Sequence, residues 1–241
     1  MATPRPWTVL PHGPIEKLTE SVWTVDGALP DAPLRRRMTL VRLADGRLAV
    51  HNAVALSEGL MRDIEAWGEP AILIVPNGWH RLDAHAWKQR YPKSTVWCPK
   101  GAVKRVEQVV PVDGSYDLFP KLDGLSVEPL DGEREMAAEG VFTARDASGR
   151  AALIFNDTLF SHPDVDGFSG SVMKLMGSTG GPRVTRFFRL VGVNDKRRLA
   201  AQLRHRAAEP GLSHLVPGHG DPVAVDAPGV LRDIADSLAP A

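Results

Sequence analysis

Early in the chain, hydrophobic and polar positions alternate with a period of two. This predicts strands over residues 21–25, 38–43 and 48–50, the last two joined at the turn dipeptide Asp45-Gly46. From Ser57 the spacing changes. Leu60, Ile64 and Trp67 fall at helical intervals, with Ser57 placed to cap the start and Gly68 to stop the helix. Residues 71–75 form a continuous apolar run, as expected of a strand covered on both faces, and the run ends at Pro76-Asn77. A helix over 83–90, closed by Tyr91-Pro92, leads to another strand at 94–97. Strand, helix, strand in that order implies a right-handed crossover within a partly parallel sheet.

The second half repeats this grammar without a strict sequence repeat. Strands are predicted over 125–130, 140–145 and 151–156, followed by a helix over 196–208 that presents Leu199 and Leu203 on one face. Leu215-Val216-Pro217 runs into Gly218-His219-Gly220, and an amphipathic helix over 228–238 closes the chain. Two sheets, each with helices on its outer face, satisfy these patterns. The expected fold class is therefore α/β (α+β), a four-layer αββα sandwich, formed as one domain over residues 1–241.

Composition narrows the partners. Hydrophobic residues make up 43% of the 241, enough for a sizeable core, and 29 Lys plus Arg balance 29 Asp plus Glu. A balanced chain lacks the electrostatic footprint of a nucleic-acid or anionic-membrane binder, so a small-molecule substrate or ligand is the expected partner, with a homodimer allowed. The run Arg35-Arg36-Arg37 reads as a solvated strand entrance, with phosphate binding as the functional counterpart. One cysteine, Cys98, excludes an internal disulfide and suits a reducing cytoplasm, and residues 1–14 lack the apolar region of a secretory signal. No run of apolar residues is long enough to span a membrane.

Several pieces, in order, carry a resemblance: the strand ending at Asn77, the helix end from Trp87 to Pro92, Asn156-Asp157-Thr158-Leu159-Phe160, and Pro217-Gly218-His219-Gly220. Together they resemble the metallo-β-lactamase superfamily from about Leu18 to His219. The resemblance implies the αββα sandwich of that type, with ligands on loops at one end of the sheets. It also implies a transition metal (zinc, manganese or iron) that activates water for attack on a carbonyl or phosphoryl centre. Asp157 then matches the family's bridging aspartate and His219 its late histidine. Elsewhere the pattern departs. Asn77 stands where the first histidine of His-x-His-x-Asp-His belongs, followed by His80, Asp83 and His85, and Glu133 replaces the histidine of a later Gly-His. The chain is similar to an atypical branch with Pro-Asn-x-x-His in place of the hallmark.

Each candidate also has a plainer role. Asp83 sits where an N-cap would satisfy free helix amides, His85 is placed to be a surface histidine, and His162 to be a loop residue. Asp157 is positioned to cap a turn. Asn77 is a poor zinc ligand and better suited to orienting a substrate or a neighbour through its amide. His219, between two glycines, shows no packing role, because the glycines suit a close backbone approach. The expected centre is a mononuclear or weak binuclear metal site built on His80, Asp157 and His219, with Asp157 and His80 catalytic in a hydrolase-like protein. Asp83, His85 and Glu133 are additional candidate ligands. The alternative is a member that has lost the metal and binds a small molecule without catalysis, favoured by the replacements at Asn77 and Glu133. The Gly- and Ser-rich segment from His162 to Leu190, with Arg183, Arg186 and Arg189, is a candidate lid or oligomer contact.

Overall fold

The structure is a computed structural model that describes residues 4–30, 32–164, 167, 174–175 and 177–240. Its first half lays down β1 (Glu16–Lys17), β2 (Val22–Leu29), β3 (Ala32–Arg42), β4 (Arg47–His51), α1 (Glu58–Trp67), β5 (Glu69–Ile74), α2 (Ala84–Arg90), β6 (Thr95–Cys98), α3 (Val103–Val106) and β7 (Gly114–Ser115). The second half adds β8 (Leu125–Pro129), β9 (Gly140–Arg145), β10 (Ala151–Ile154), β11 (Phe160–Ser161), α4 (Arg186–Val191), α5 (Lys196–Arg206), β12 (Leu212–Val216), β13 (His219–Gly220) and α6 (Ala227–Leu238).

Strands β1 to β7 form one sheet in sequence order, antiparallel up to β4 and parallel from β4 onward. A second sheet has the order β12-β10-β9-β8, with β10 and β12 parallel, and β11 pairs β13 in a small parallel ribbon. The period-two pattern distributes the side chains among three cores. Ala49, Ile72 and Ile74 point toward the other sheet and meet Phe142, Ala152 and Ile154. Their neighbours Leu48, Val50 and Leu73 point outward onto Met61, Ile64 and Trp87 of α1 and α2. On the far side Leu153, Phe155 and Leu215 pack under Leu199, Leu203, Leu231 and Ile234 of α5 and α6. One core between the sheets and one beneath each helical layer make the four-layer αββα sandwich. No helix among the described residues is long and apolar enough to cross a membrane.

The arginine run corrects its sequence reading. β3 begins well before residue 38, and Arg36 and Arg37 are each only 2% exposed rather than solvated. Arg36 forms a buried ion pair with Asp83 and donates to Ala53 O, while Arg37 donates to Glu16, Thr24 Oγ1 and Gly220 O. Burial lowers the Arg36 pKa against the pull of Asp83, which raises it. Charge runs are usually solvated. Arg36 and Arg37 are not, because partners such as Asp83 and Gly220 lie far along the chain, where a short sequence window does not reach; Arg35, paired with Asp26, stays 39% exposed. In the candidate lid segment, residues 165–166, 168–173 and 176 lie outside the described residues.

Candidate metal centre

Parallel pairing brings four strand ends together. The register places His51 opposite Ile74 and Ile154 opposite Val216, so the loops that follow β4, β5, β10 and β12 emerge in register. Those loops carry Asn52, His80, Asp157 and His219. Their side chains converge: His80 Nε2 lies 2.9 Å and His219 Nε2 3.2 Å from Asp157 Oδ1, and the two Nε2 atoms are 3.3 Å apart. Among the described residues this is the group of histidine, cysteine and acidic side chains that can hold a metal.

The far nitrogen of each imidazole fixes its tautomer. Asn52 Nδ2 donates to Arg37 O at 3.0 Å, which turns Asn52 Oδ1 toward His80 Nδ1 at 3.1 Å and makes that nitrogen a donor. His219 Nδ1 donates to Arg35 O at 2.6 Å. Each imidazole nitrogen that faces Asp157 Oδ1 therefore presents a lone pair, and three acceptors crowd one point. Such a group is repulsive without a cation or a proton at its centre, and neutral imidazoles oriented by acceptors behind them are the usual surroundings of a metal. A tetrahedral ion with ligands at about 2.0–2.1 Å separates them by about 3.3 Å, close to the observed spacings. The donor set fits a transition metal.

Asp157 is fixed in turn. Its Oδ2 accepts from Asn77 Nδ2 at 2.8 Å, leaving Oδ1 for the histidines. Burial would push its pKa up, but when protons rather than an ion fill the point between the rings, the charges and hydrogen bonds they give His80 and His219 outweigh burial and hold the carboxyl well below the usual carboxylate range. Behind Asn77 lies Glu139, 1% exposed, whose carboxyl accepts from Asn77 Nδ2, Asn156 Nδ2, Asp157 N, Thr158 N and Thr158 Oγ1. Burial and the charge of Asp157 push Glu139 up to about 7, against these donors. Thr158 Oγ1 also lies 2.6 Å from Glu133 Oε1. A hydroxyl has one proton to give, so one of the two glutamates must donate to it. Burial and Glu139 raise Glu133 well above the ordinary range, which places that proton on Glu133.

His80, Asp157 and His219 thus come together as the sequence suggests, whereas the additional candidates do not join them. Asp83, 2% exposed, precedes α2 but makes no side-chain cap; its Oδ2 is held by Arg36 and Ala55 N. His85 Nδ1 donates to Val109 O, Glu133 bonds Thr158 and Glu139 N, and His162 Nδ1 faces Pro163 O. Asn77 is fully buried, so it orients Asp157 and accepts from Trp79 N and His80 N instead of touching substrate. His219 does have a packing role. It is 3% exposed and stacks on Phe160 at 4.6 Å. The flanking glycines follow from this: a Cβ on Gly218 would meet Asn156 Oδ1 at 2.6 Å, and one on Gly220, at φ 89°, would meet Ser161 O at 2.2 Å.

Sequence reasoning passed over three supports: Glu139, Asn52 and the backbone of the arginine run. Asn52 stands two residues past the predicted strand at 48–50, and an asparagine at a strand end was the available signal. It occupies the left-handed region at φ 56°, which asparagine tolerates better than most residues. β4 covers β3 only from Thr39 onward, so residues 35–37 have one edge that no strand pairs. Gly218 O, His219 Nδ1 and Asn52 Nδ2 dock there on Arg37 N, Arg35 O and Arg37 O.

Above the triad opens a cavity of about 590 Å³ with His80, Asp157 and His219 in its lining. Its other walls include Leu34, Trp79, Leu82, Phe187, Phe188 and Val191.

No family model and no curated protein sequence matches the chain. Solved structures do. The DIM-1 metallo-β-lactamase exposed to ceftazidime superposes with a TM-score of 0.63 at 14% identity, over 96% of this chain and 100% of that one. A metallo-β-lactamase from Hirschia baltica gives 0.59 at 12% identity over 92% and 98% of the two chains. FIM-1 from Pseudomonas aeruginosa, in its mono-zinc form, gives 0.58 at 10% identity over 93% and 96%. With its two sheets, its outer helices and these neighbours along most of its length, the chain has the metallo-β-lactamase superfamily fold.

Proposed function

We propose that this protein is a metal-dependent hydrolase that holds one divalent transition ion, zinc, manganese or iron, on His80, Asp157 and His219 and acts on a small molecule. The observation that carries the reading is the convergence of two tautomer-fixed imidazole lone pairs on Asp157 Oδ1. When bound, the ion supplies Lewis-acid polarisation of a carbonyl or phosphoryl oxygen. The chain itself does the positioning. Asn77 locks Asp157 Oδ2, Asn52 and Arg35 O set the two rings, and the open side of the triad faces the cavity where a substrate enters.

A single ion is favoured because Asn77 and Glu133, which stand at two positions where the family has histidine, are both spent on hydrogen bonds behind the site. FIM-1 in its mono-zinc form is an instance of one ion on this fold. Elemental analysis of protein purified without chelator or a histidine tag tests the reading. The expected result is one equivalent of metal at most in the wild type and none in Asp157→Asn. Two equivalents at full occupancy would overturn the single-ion site. A wild type that neither carries metal nor gains stability from added zinc, manganese or iron would instead favour the non-catalytic binder.

A further inference from the structure

The cavity above the triad is chemically one-sided. Leu34, Trp79, Leu82, Phe187, Phe188 and Val191 supply its walls, and its volume of about 590 Å³ lies within the range of small-molecule sites. Besides the triad, the charged group among its described lining residues is Arg36, and the buried ion pair with Asp83 neutralises it. Thr185, another lining residue, accepts from Phe188 N through its hydroxyl oxygen at the start of α4, and with Ser178 it adds hydroxyls but no charge to the lining. Trp79 is 41% exposed, Phe187 is 52% exposed, and the Arg105 guanidinium lies against the Trp79 ring at 5.7 Å. Exposed aromatic side chains beside a candidate catalytic centre mark a binding surface more often than an accident of packing.

A substrate with a charge away from its reacting bond would have to strip that charge of water against these walls, with no unpaired counter-ion among the described lining residues; Arg105 touches Trp79 but is not part of that lining. An apolar tail meets no such cost and leaves water for hydrocarbon and aromatic surface. We propose that this cavity selects neutral carbonyl compounds, esters or lactones, that carry an extended apolar group, with the group lying against Trp79 and Phe187 and the carbonyl end at the triad. The assignment of the carbonyl end rests on the hydrolase reading above. The assignment of the apolar end rests on the cavity walls alone.

The experiment separates the two. Methyl butanoate, methyl hexanoate and methyl octanoate, together with the mono-methyl ester of octanedioic acid, whose tail ends in a carboxylate, are titrated calorimetrically into chelator-treated protein. The same esters are then assayed for turnover with zinc-reconstituted protein. Affinity is expected to rise about fourfold for each added methylene, and the half-ester to bind roughly tenfold or more weakly than methyl octanoate. Phe187→Arg places a cation in the wall at a half-exposed position and is expected to reverse the preference toward the half-ester. Affinities independent of tail length, or equal for methyl octanoate and the half-ester, would overturn the apolar assignment, as would a Phe187→Arg variant with unchanged preference. Tail-dependent binding without turnover upholds the apolar end and overturns the assignment of an ester carbonyl to the triad. Turnover with no dependence on the tail does the opposite.

Discussion

His51, at the end of β4, is 2% exposed, and its Nε2 is buried without a hydrogen-bond partner. Its ring meets Phe142 edge-on at 5.6 Å in the core between the sheets. Burial, and then the neighbouring His80, lower its pKa from 6.5 to about 3. The sign follows directly. The unfolded chain takes up a proton at His51 below about pH 6.5 while the folded chain refuses it until about pH 3, so this group's stabilisation is present above pH 6.5 and lost on acidification. The slope is about 1.4 kcal/mol per pH unit, which amounts to about 2.7 kcal/mol between pH 6.5 and 4.5. Phe at this position keeps the aromatic contact and removes the titration. Its slightly larger ring costs up to about 1–3 kcal/mol through overpacking, but that cost does not vary with pH. Urea denaturation of wild type and His51→Phe at pH 7.5, 6.5, 5.5 and 4.5 measures the difference curve. It is expected to be flat above pH 6.5 and to swing toward the variant by about 2.7 kcal/mol at pH 4.5. A difference that stays constant to pH 4.5 would show that His51 accepts its proton in the folded state and that the core around it is not dry.

Three further perturbations probe the supports of the site. His219→Ala removes a buried ring from Phe160 and a donor from Arg35 O, so metal-free protein should lose roughly 2–4 kcal/mol in denaturant titrations, where a merely exposed loop histidine would cost almost nothing. Asn52→Gly keeps the left-handed backbone at φ 56° and deletes only the amide that turns His80, so calorimetric titration should show zinc affinity falling about 10- to 100-fold. Arg36→Ala strands Asp83 in the core and should cost about 3–5 kcal/mol, whereas the joint replacement Arg36→Met with Asp83→Leu should restore most of it in the same thermal melts.

Much of the fold was legible because local pattern and tertiary position agree. The apolar run at 71–75 became a strand sandwiched between layers, and Leu199 and Leu203 face the core that their spacing predicts. Asp157 and His219 were legible from short motifs because each follows a strand whose end the parallel register fixes. What the sequence concealed depends on contacts across long separations. Arg36 meets Asp83 across 47 positions, His219 meets Arg35 across 184, and Glu139 gathers donors from residues 77, 156, 157 and 158. Asn77 was legible as a replaced ligand, but not as the buried clamp on Asp157, because its amide faces inward only after two sheets have closed over it.

The unpaired stretch of β3 has a consequence for folding as well as for chemistry. A bare strand edge is a template for another chain, and here the segment from Gly218 to Gly220, with Asn52, occupies it. The loop that presents His219 is also a stopper against edge-to-edge self-association. Lesions in it should therefore appear first as aggregation during expression. This role of the loop is independent of whether any ion sits on His219.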